Sequence, residues 1–94
     1  MFNYQQGEVL LLSFPFVDGV NFKRRPALVL IDTKDEDIIV ARITSQVVKT
    51  IFDVELTEWE EAGLRLPSFV RLNTVATLEK KSVERKLGKL TTDD

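Results

Sequence analysis

Cysteine and histidine are both absent from this 94-residue chain. The first absence removes disulfides and thiol nucleophiles, the second removes His-based triads, and together they remove almost every zinc site. Any catalysis therefore falls to Arg, Lys, Asp, Glu, Ser, Thr or Tyr. No apolar run approaches the roughly 20 residues that span a bilayer. The opening Met1-Phe2-Asn3-Tyr4-Gln5-Gln6 has neither the basic start nor the long apolar stretch of a secretory leader. The expectation is a soluble cytoplasmic protein without a membrane partner, one domain over residues 1–94 with no linker, repeat or low-complexity tract.

The net charge of −2 argues against a protein that coats nucleic acid non-specifically. Its distribution says more. Residues 23–34 carry four cations and one Asp, residues 35–62 carry eight acids and two cations, and residues 63–94 carry seven cations and four acids. Two basic regions thus flank an acidic middle, and a fold that brings them together has one cationic face.

The stretch Lys23-Arg24-Arg25-Pro26-Ala27-Leu28-Val29-Leu30-Ile31 organises the reading. Three cations run into a proline and then into five apolar residues, so a charged loop delivers guanidinium groups to the mouth of a strand buried on both faces. A rigidly held arginine at the edge of a core suits phosphate, because its planar fork meets the anion with little entropy lost. The plainer alternative is a solvated loop before a core strand.

Around this stretch the apolar pattern predicts short strands. Glu8 to Phe14 forms the first and Pro15 stops it; Phe16 to Phe22 is a loop with an Asp18-Gly19 turn, and Phe14 and Phe16 either pack on the core or offer a stacking surface. Ala27 to Ile31 forms the second strand. Ile38 to Gln46 forms the third, with Ile38, Val40, Arg42 and Thr44 on one face and Ile39, Ala41, Ile43 and Ser45 on the other. Phe52 to Leu56 is a fourth strand with one wet face. Thr57-Glu58-Trp59-Glu60 carries a capping-box signature, predicting a short helix Glu58 to Ala62 that Gly63 stops and Trp59 anchors. Ser68 to Asn73 and Thr74 to Leu78 read as two extended segments or one bent strand. Ser82 then caps a short basic turn, Val83 to Leu87, and Thr91-Thr92-Asp93-Asp94 reads as a helix start. Strands at roughly ten-residue spacing with one or two short helices predict a small, mainly β barrel or half-open sheet. Such a sheet buries its leftover apolar surface economically as a homodimer.

In order, Gly7-Glu8-Val9, Phe14-Pro15-Phe16 with Asp18-Gly19, Arg24-Arg25-Pro26-Ala27-Leu28-Val29-Leu30, Ala41-Arg42-Ile43-Thr44-Ser45-Gln46, Trp59-Glu60-Glu61-Ala62-Gly63-Leu64, Pro67-Ser68-Phe69-Val70-Arg71-Leu72-Asn73 and Lys86-Leu87-Gly88-Lys89-Leu90 resemble the MazF/PemK toxin family of type II toxin–antitoxin systems. The match extends over residues 7–90 and looks closest to the PemK-like branch. The resemblance implies an SH3-like β barrel that dimerises and cleaves single-stranded RNA as a metal-independent endoribonuclease, leaving cyclic phosphate and 5′-hydroxyl ends, with no cofactor. It implies that a cognate antitoxin covers the RNA groove with its tail, and that promoter DNA is met only through the antitoxin complex. By the same resemblance Arg25 and Thr44 are catalytic, and Lys23, Arg24, Ser45, Gln46, Arg71, Asn73, Phe16 and Asp18 bind RNA.

The chain departs from the family in two ways. Where some relatives use a loop histidine, and an aspartate two residues after an arginine, this sequence has no histidine and places Asn73 after Arg71; an amide takes no proton at neutral pH. The helix that follows Gly88-Lys89-Leu90 in relatives is missing from these 94 residues, which implies exposed apolar surface. The alternatives left open are a non-catalytic RNA- or antitoxin-binding protein on the same fold, a gyrase poison of the CcdB kind, and a structural Arg25 paired with Asp53 or Glu55.

Overall fold

The computed structural model describes residues 3–15, 22–46 and 50–90. Six strands run β1 (Glu8–Pro15), β2 (Phe22–Asp32), β3 (Asp37–Thr44), β4 (Asp53–Leu56), β5 (Ser68–Glu79) and β6 (Val83–Lys89), with one 3-10 turn at Lys80–Ser82. All recorded pairings are antiparallel, in the order β4-β5-β3-β2-β1-β6, so β4 and β6 are the edges of one mainly β sheet.

The three central strands are apolar on both sides, and both sides are covered. One cluster joins Val9, Leu28, Ala41, Ile43, Leu56, Ala62 and Val70, with Leu30, Trp59, Leu64, Leu87 and Leu90 packed against it. The other joins Leu10, Leu12, Ala27, Val29, Ile38 and Val40, covered by Tyr4, Phe14, Leu78 and Val83. Consecutive residues such as Val9 and Leu10, or Leu28 and Val29, thus enter opposite cores. Each fully buried Leu or Val contributes roughly 1.5–3 kcal/mol. The sheet coils enough for its own outer strands and the segment 57–64 to serve as covers.

Three local expectations are corrected. Lys23, Arg24 and Arg25 lie in β2 itself, paired with Phe14, Ser13 and Leu12 of β1, and not in a loop. The apolar rule stopped the strand at Ala27, but the ladder is set by backbone groups and continues wherever β1 offers partners. Residues 57–63 form hydrogen-bonded turns, not a helix; Ala62 N donates to Glu58 O, Gly63 N to Glu60 O and Leu64 N to Trp59 O, three different ring sizes in succession. The basic stretch Val83 to Leu87 is strand β6, paired with β1. The Asp18-Gly19 turn and the Thr91 to Asp94 helix start lie outside the described residues.

Two glycines allow the turn segment to meet β6. A Cβ at Gly63, whose φ is +84°, would lie 2.0 Å from the Leu87 carbonyl oxygen, and one at Gly88 would lie 2.5 Å from the Ala62 carbonyl. Beyond β2 the β2–β3 turn is tied by side chains. Lys80 Nζ meets Asp32 Oδ1 at 2.8 Å with both side chains nearly sealed from water, and Tyr4 N donates to Asp32 Oδ2 at 2.6 Å. The Lys80 ammonium, with the Tyr4 and Lys34 amides, holds the Asp32 carboxyl well below the usual carboxylate range.

Gly88→Ala is expected to lower stability by about 1–3 kcal/mol through overpacking against a backbone that cannot retreat, read from a urea midpoint. Because the Asp32 pKa is depressed on folding, its stabilisation is present above the unfolded value of about 3.9 and lost as pH falls below it. Asp32→Asn should therefore lower the melting temperature at pH 7 and reduce its decline between about pH 5 and pH 3.

Candidate active site

The β2–β3 register places the arginines. Ala27 lies opposite Arg42 and Leu28 opposite Ala41, and continuing this antiparallel register by two residues sets Arg25 opposite Thr44. Arg25, Arg42 and Thr44 therefore share the sheet face that carries Ala27 and Val29, at the end where the apolar residues give out. On β5, Arg71 lies opposite Arg42 and Phe69 opposite Thr44; on β4, Asp53 and Glu55 continue these two rows. One face is thus apolar at one end and polar at the other.

Arg25, Pro26, Arg42, Ile43, Thr44, Ser45, Gln46 and Ser68 line a cleft of about 160 Å³ at this end. Thr44 Oγ1 accepts the Gln46 N–H at 3.2 Å, which turns the loop after β3 and leaves the hydroxyl proton available to a ligand. Among the described residues the lining offers guanidinium, hydroxyl and amide groups and no carboxylate, so this surface favours an anion. Pro26, Ser45 and Ser68 also border a larger groove of about 370 Å³, lined by Leu11, Leu64, Leu66 and Leu87 with Arg65 and Arg85 at its rim. Among the described residues, no group of three or more His, Cys, Asp or Glu is placed to hold a metal ion.

The other expected residues are distributed unevenly. Arg24 alternates to the opposite face from Arg25 and its Nε lies 2.9 Å from Glu84 Oε2, in an exposed pair of small energetic weight. Lys23 is exposed on the strand beside it. Arg71 Nε lies 3.3 Å from Asp53 Oδ1, so Asp53, one of the two carboxylates considered for Arg25, is held by Arg71. Asn73 is exposed and sits among three β5 residues, 72 to 74, that have no partner on β3, because Ala41 pairs with Val75 and Arg42 with Arg71. Phe16 and Asp18 lie outside the described residues. Sequence reasoning noticed Arg42 beside Thr44 without placing it in the site, and missed Ser68, whose hydroxyl donates to Leu66 O at 2.8 Å and whose segment joins the cleft only through sheet pairing.

The fold is a small coiled β sheet with an arginine- and hydroxyl-lined cleft at one strand end. The model of PemK-like, MazF-like toxins of type II toxin–antitoxin systems matches residues 5–94, and the chain belongs to that family. Three solved structures share its fold. A mycobacterial endoribonuclease in complex with its cognate antitoxin is 17% identical, with a TM-score of 0.75, 97% of this chain and 82% of that one covered. A mycobacterial endoribonuclease gives 18% identity, a TM-score of 0.77 and coverage of 99% and 81%. The Mycobacterium tuberculosis toxin MazF-mt6 gives 24% identity, a TM-score of 0.70 and coverage of 89% and 82%. No curated protein matches the chain by sequence.

Asp53→Ala should cost about 1–3 kcal/mol by leaving the partly buried Arg71 guanidinium without its counterion, measured by chemical denaturation. Arg71→Met in the same background should recover part of that loss, since it removes the orphaned charge.

Proposed function

We propose that this toxin is an endoribonuclease that cleaves single-stranded RNA without a metal, through Arg25 and Thr44. The observation that carries the reading is that these two side chains line one cleft with no carboxylate among its described residues, each two residues beyond the paired Ala27 and Arg42. In such cleavage the 2′-hydroxyl gives up its proton and attacks the adjacent phosphorus, the bond to the 5′-oxygen breaks, and that oxygen takes up a proton, yielding a cyclic phosphate and a 5′-hydroxyl. The demand on the protein is to stabilise charge on a pentacoordinate phosphorus. Arg25, always protonated, supplies a forked cation held by a strand whose next residues are core. Thr44 Oγ1, already accepting from Gln46 N, donates its proton to a non-bridging oxygen. Ser45 and Gln46 follow at the rim of the cleft and contact the strand beyond the reacting phosphate. Lys23 lies on the same side, and Arg24, Arg71, Asn73, Phe16 and Asp18 are the further RNA contacts in this reading.

The antitoxin is the expected protein partner, since the family consists of toxins of two-component systems. An acidic, disordered tail suits the arginine-rimmed groove and the cleft beside it. Promoter DNA is met through that complex. A homodimer is supported by the exposed Ile51, Phe52, Val54 and Leu72 around the β4 edge. For the described residues no helix is long and apolar enough to cross a membrane, and a cytoplasmic site of action fits an RNA substrate.

The test is cleavage of a long single-stranded RNA in EDTA. Fragments with 5′-hydroxyl ends are expected, and Arg25→Ala and Thr44→Ala should each lower the rate by about 10²–10³ while remaining folded. A folded, antitoxin-free protein that leaves the RNA intact would reject the reading.

A further inference from the structure

We propose that Arg42 is a second phosphate-binding guanidinium of this cleft, gripping the phosphodiester beside Arg25 and Thr44; the inference rests on the endoribonuclease reading and adds a residue to its site. The side chain is partly buried, and its Nε is sealed from water with no hydrogen-bond partner among the described residues. Three other buried polar atoms also lack an ideal hydrogen bond, but each belongs to an ion pair: Arg71 Nε with Asp53 Oδ1, and Lys80 Nζ with Asp32. Arg42 is the exception.

Its neighbours across the sheet cannot neutralise it. On one side lies Ala27, and on the other lies Arg71, itself a cation whose counterion is Asp53. Holding a buried guanidinium nitrogen without an acceptor costs free energy, so a fold that keeps Arg42 Nε in place favours an anion beside it. The cleft it lines provides room for that anion and lines it with donors from Arg25, Thr44 and Ser45. Beside it the β5 ladder is irregular: residues 72 to 74 leave the β3 pairing next to Arg42, and bulges of this kind are common at functional surfaces. Two guanidiniums on one small cleft match the delocalised charge of a phosphodiester better than that of a single carboxylate.

The probe is a single-stranded 2′-O-methyl RNA oligonucleotide, which lacks the attacking hydroxyl and so reports binding without cleavage. Arg42→Met should fold with an unchanged or higher urea midpoint, because a side chain with an unsatisfied buried nitrogen is replaced by an apolar one. It should bind the oligonucleotide roughly ten- to a hundredfold more weakly, the loss of a charge-assisted contact. The dependence of log K on log salt should flatten by about 0.7, one phosphate contact on a single strand. Arg42→Lys should restore the salt slope and only part of the affinity, and inorganic phosphate should raise the melting temperature of the wild type more than that of Arg42→Met. Unchanged affinity and slope in Arg42→Met, or failure of that variant to fold, overturns the proposal. Loss of affinity for poly-glutamate with oligonucleotide binding intact also overturns it, by assigning Arg42 to a protein carboxylate. Wild-type protein that cleaves RNA while Arg42→Met binds normally removes this inference alone; Arg42-dependent oligonucleotide binding without any cleavage removes the nuclease reading and leaves the anion site.

Discussion

Burial of β1, β2 and β3 on both faces is the constraint on which the molecule depends. A strand whose successive residues enter two different cores, as Leu28 and Val29 do, has no free rotation about its axis and no tolerance for a register slip. The covers for the two cores come from the chain's own periphery: the turn segment with Trp59, Ala62 and Leu64 on one side, Tyr4, Phe14, Leu78 and Val83 on the other. Gly63 and Gly88 belong to the same constraint, since the turn segment reaches β6 only where neither backbone carries a side chain.

The site inherits its rigidity from this arrangement. Arg25 is two residues from Ala27, and Arg42 and Thr44 are two and four residues beyond Val40; Ala27 and Val40 are both fully buried. The polar groups therefore stand on strands already fixed by packing, and pre-organised donors are what charge stabilisation at phosphorus requires. Charge neutralisation is handled differently in different places. Asp32, Glu8 and Asp53 each have a cation within 3.3 Å, and the Glu8 carboxyl, which burial alone would push up, is held below its ordinary value by Lys86 and the Gln5 amide. Around the cleft the same economy is suspended, and Arg42 keeps a buried nitrogen without an acceptor. Functional surfaces are where local rules of satisfaction are broken.

Much of the fold was legible from residue pattern. The apolar runs through Leu10, Leu28 and Val40 identify the three central strands, the run Ala27 to Ile31 reads as buried on both faces, and the alternation in β3 puts Arg42 and Thr44 on one face, as the register has it. Strand ends were less legible. Lys23 to Arg25 and Val83 to Leu87 read as loop and turn because their side chains are charged, yet a strand persists on backbone hydrogen bonds when its neighbour supplies partners, and a charged side chain at the sheet rim simply points to water. The capping signature at Thr57 to Glu60 was overridden for a related reason. Segment 57–64 follows the path that seats Trp59 and Ala62 in the core, and tertiary contact outweighs a propensity of a few tenths of a kcal/mol per residue.

Residue identity sets the chemistry available: no thiol, no imidazole, a cationic stretch running into a core strand, and a threonine at the end of another. These follow from residue identity and period, which are local. Tertiary structure alone decided which charges meet. Arg71 lies 18 residues from Asp53 and Lys80 lies 48 from Asp32 along the chain, and each pair exists because β-sheet pairing brings distant residues together. Sheet pairing likewise put two guanidiniums on one cleft and left the Nε of Arg42 without an acceptor among the described residues, a result no local pattern encodes because it depends on which strand lies next to which.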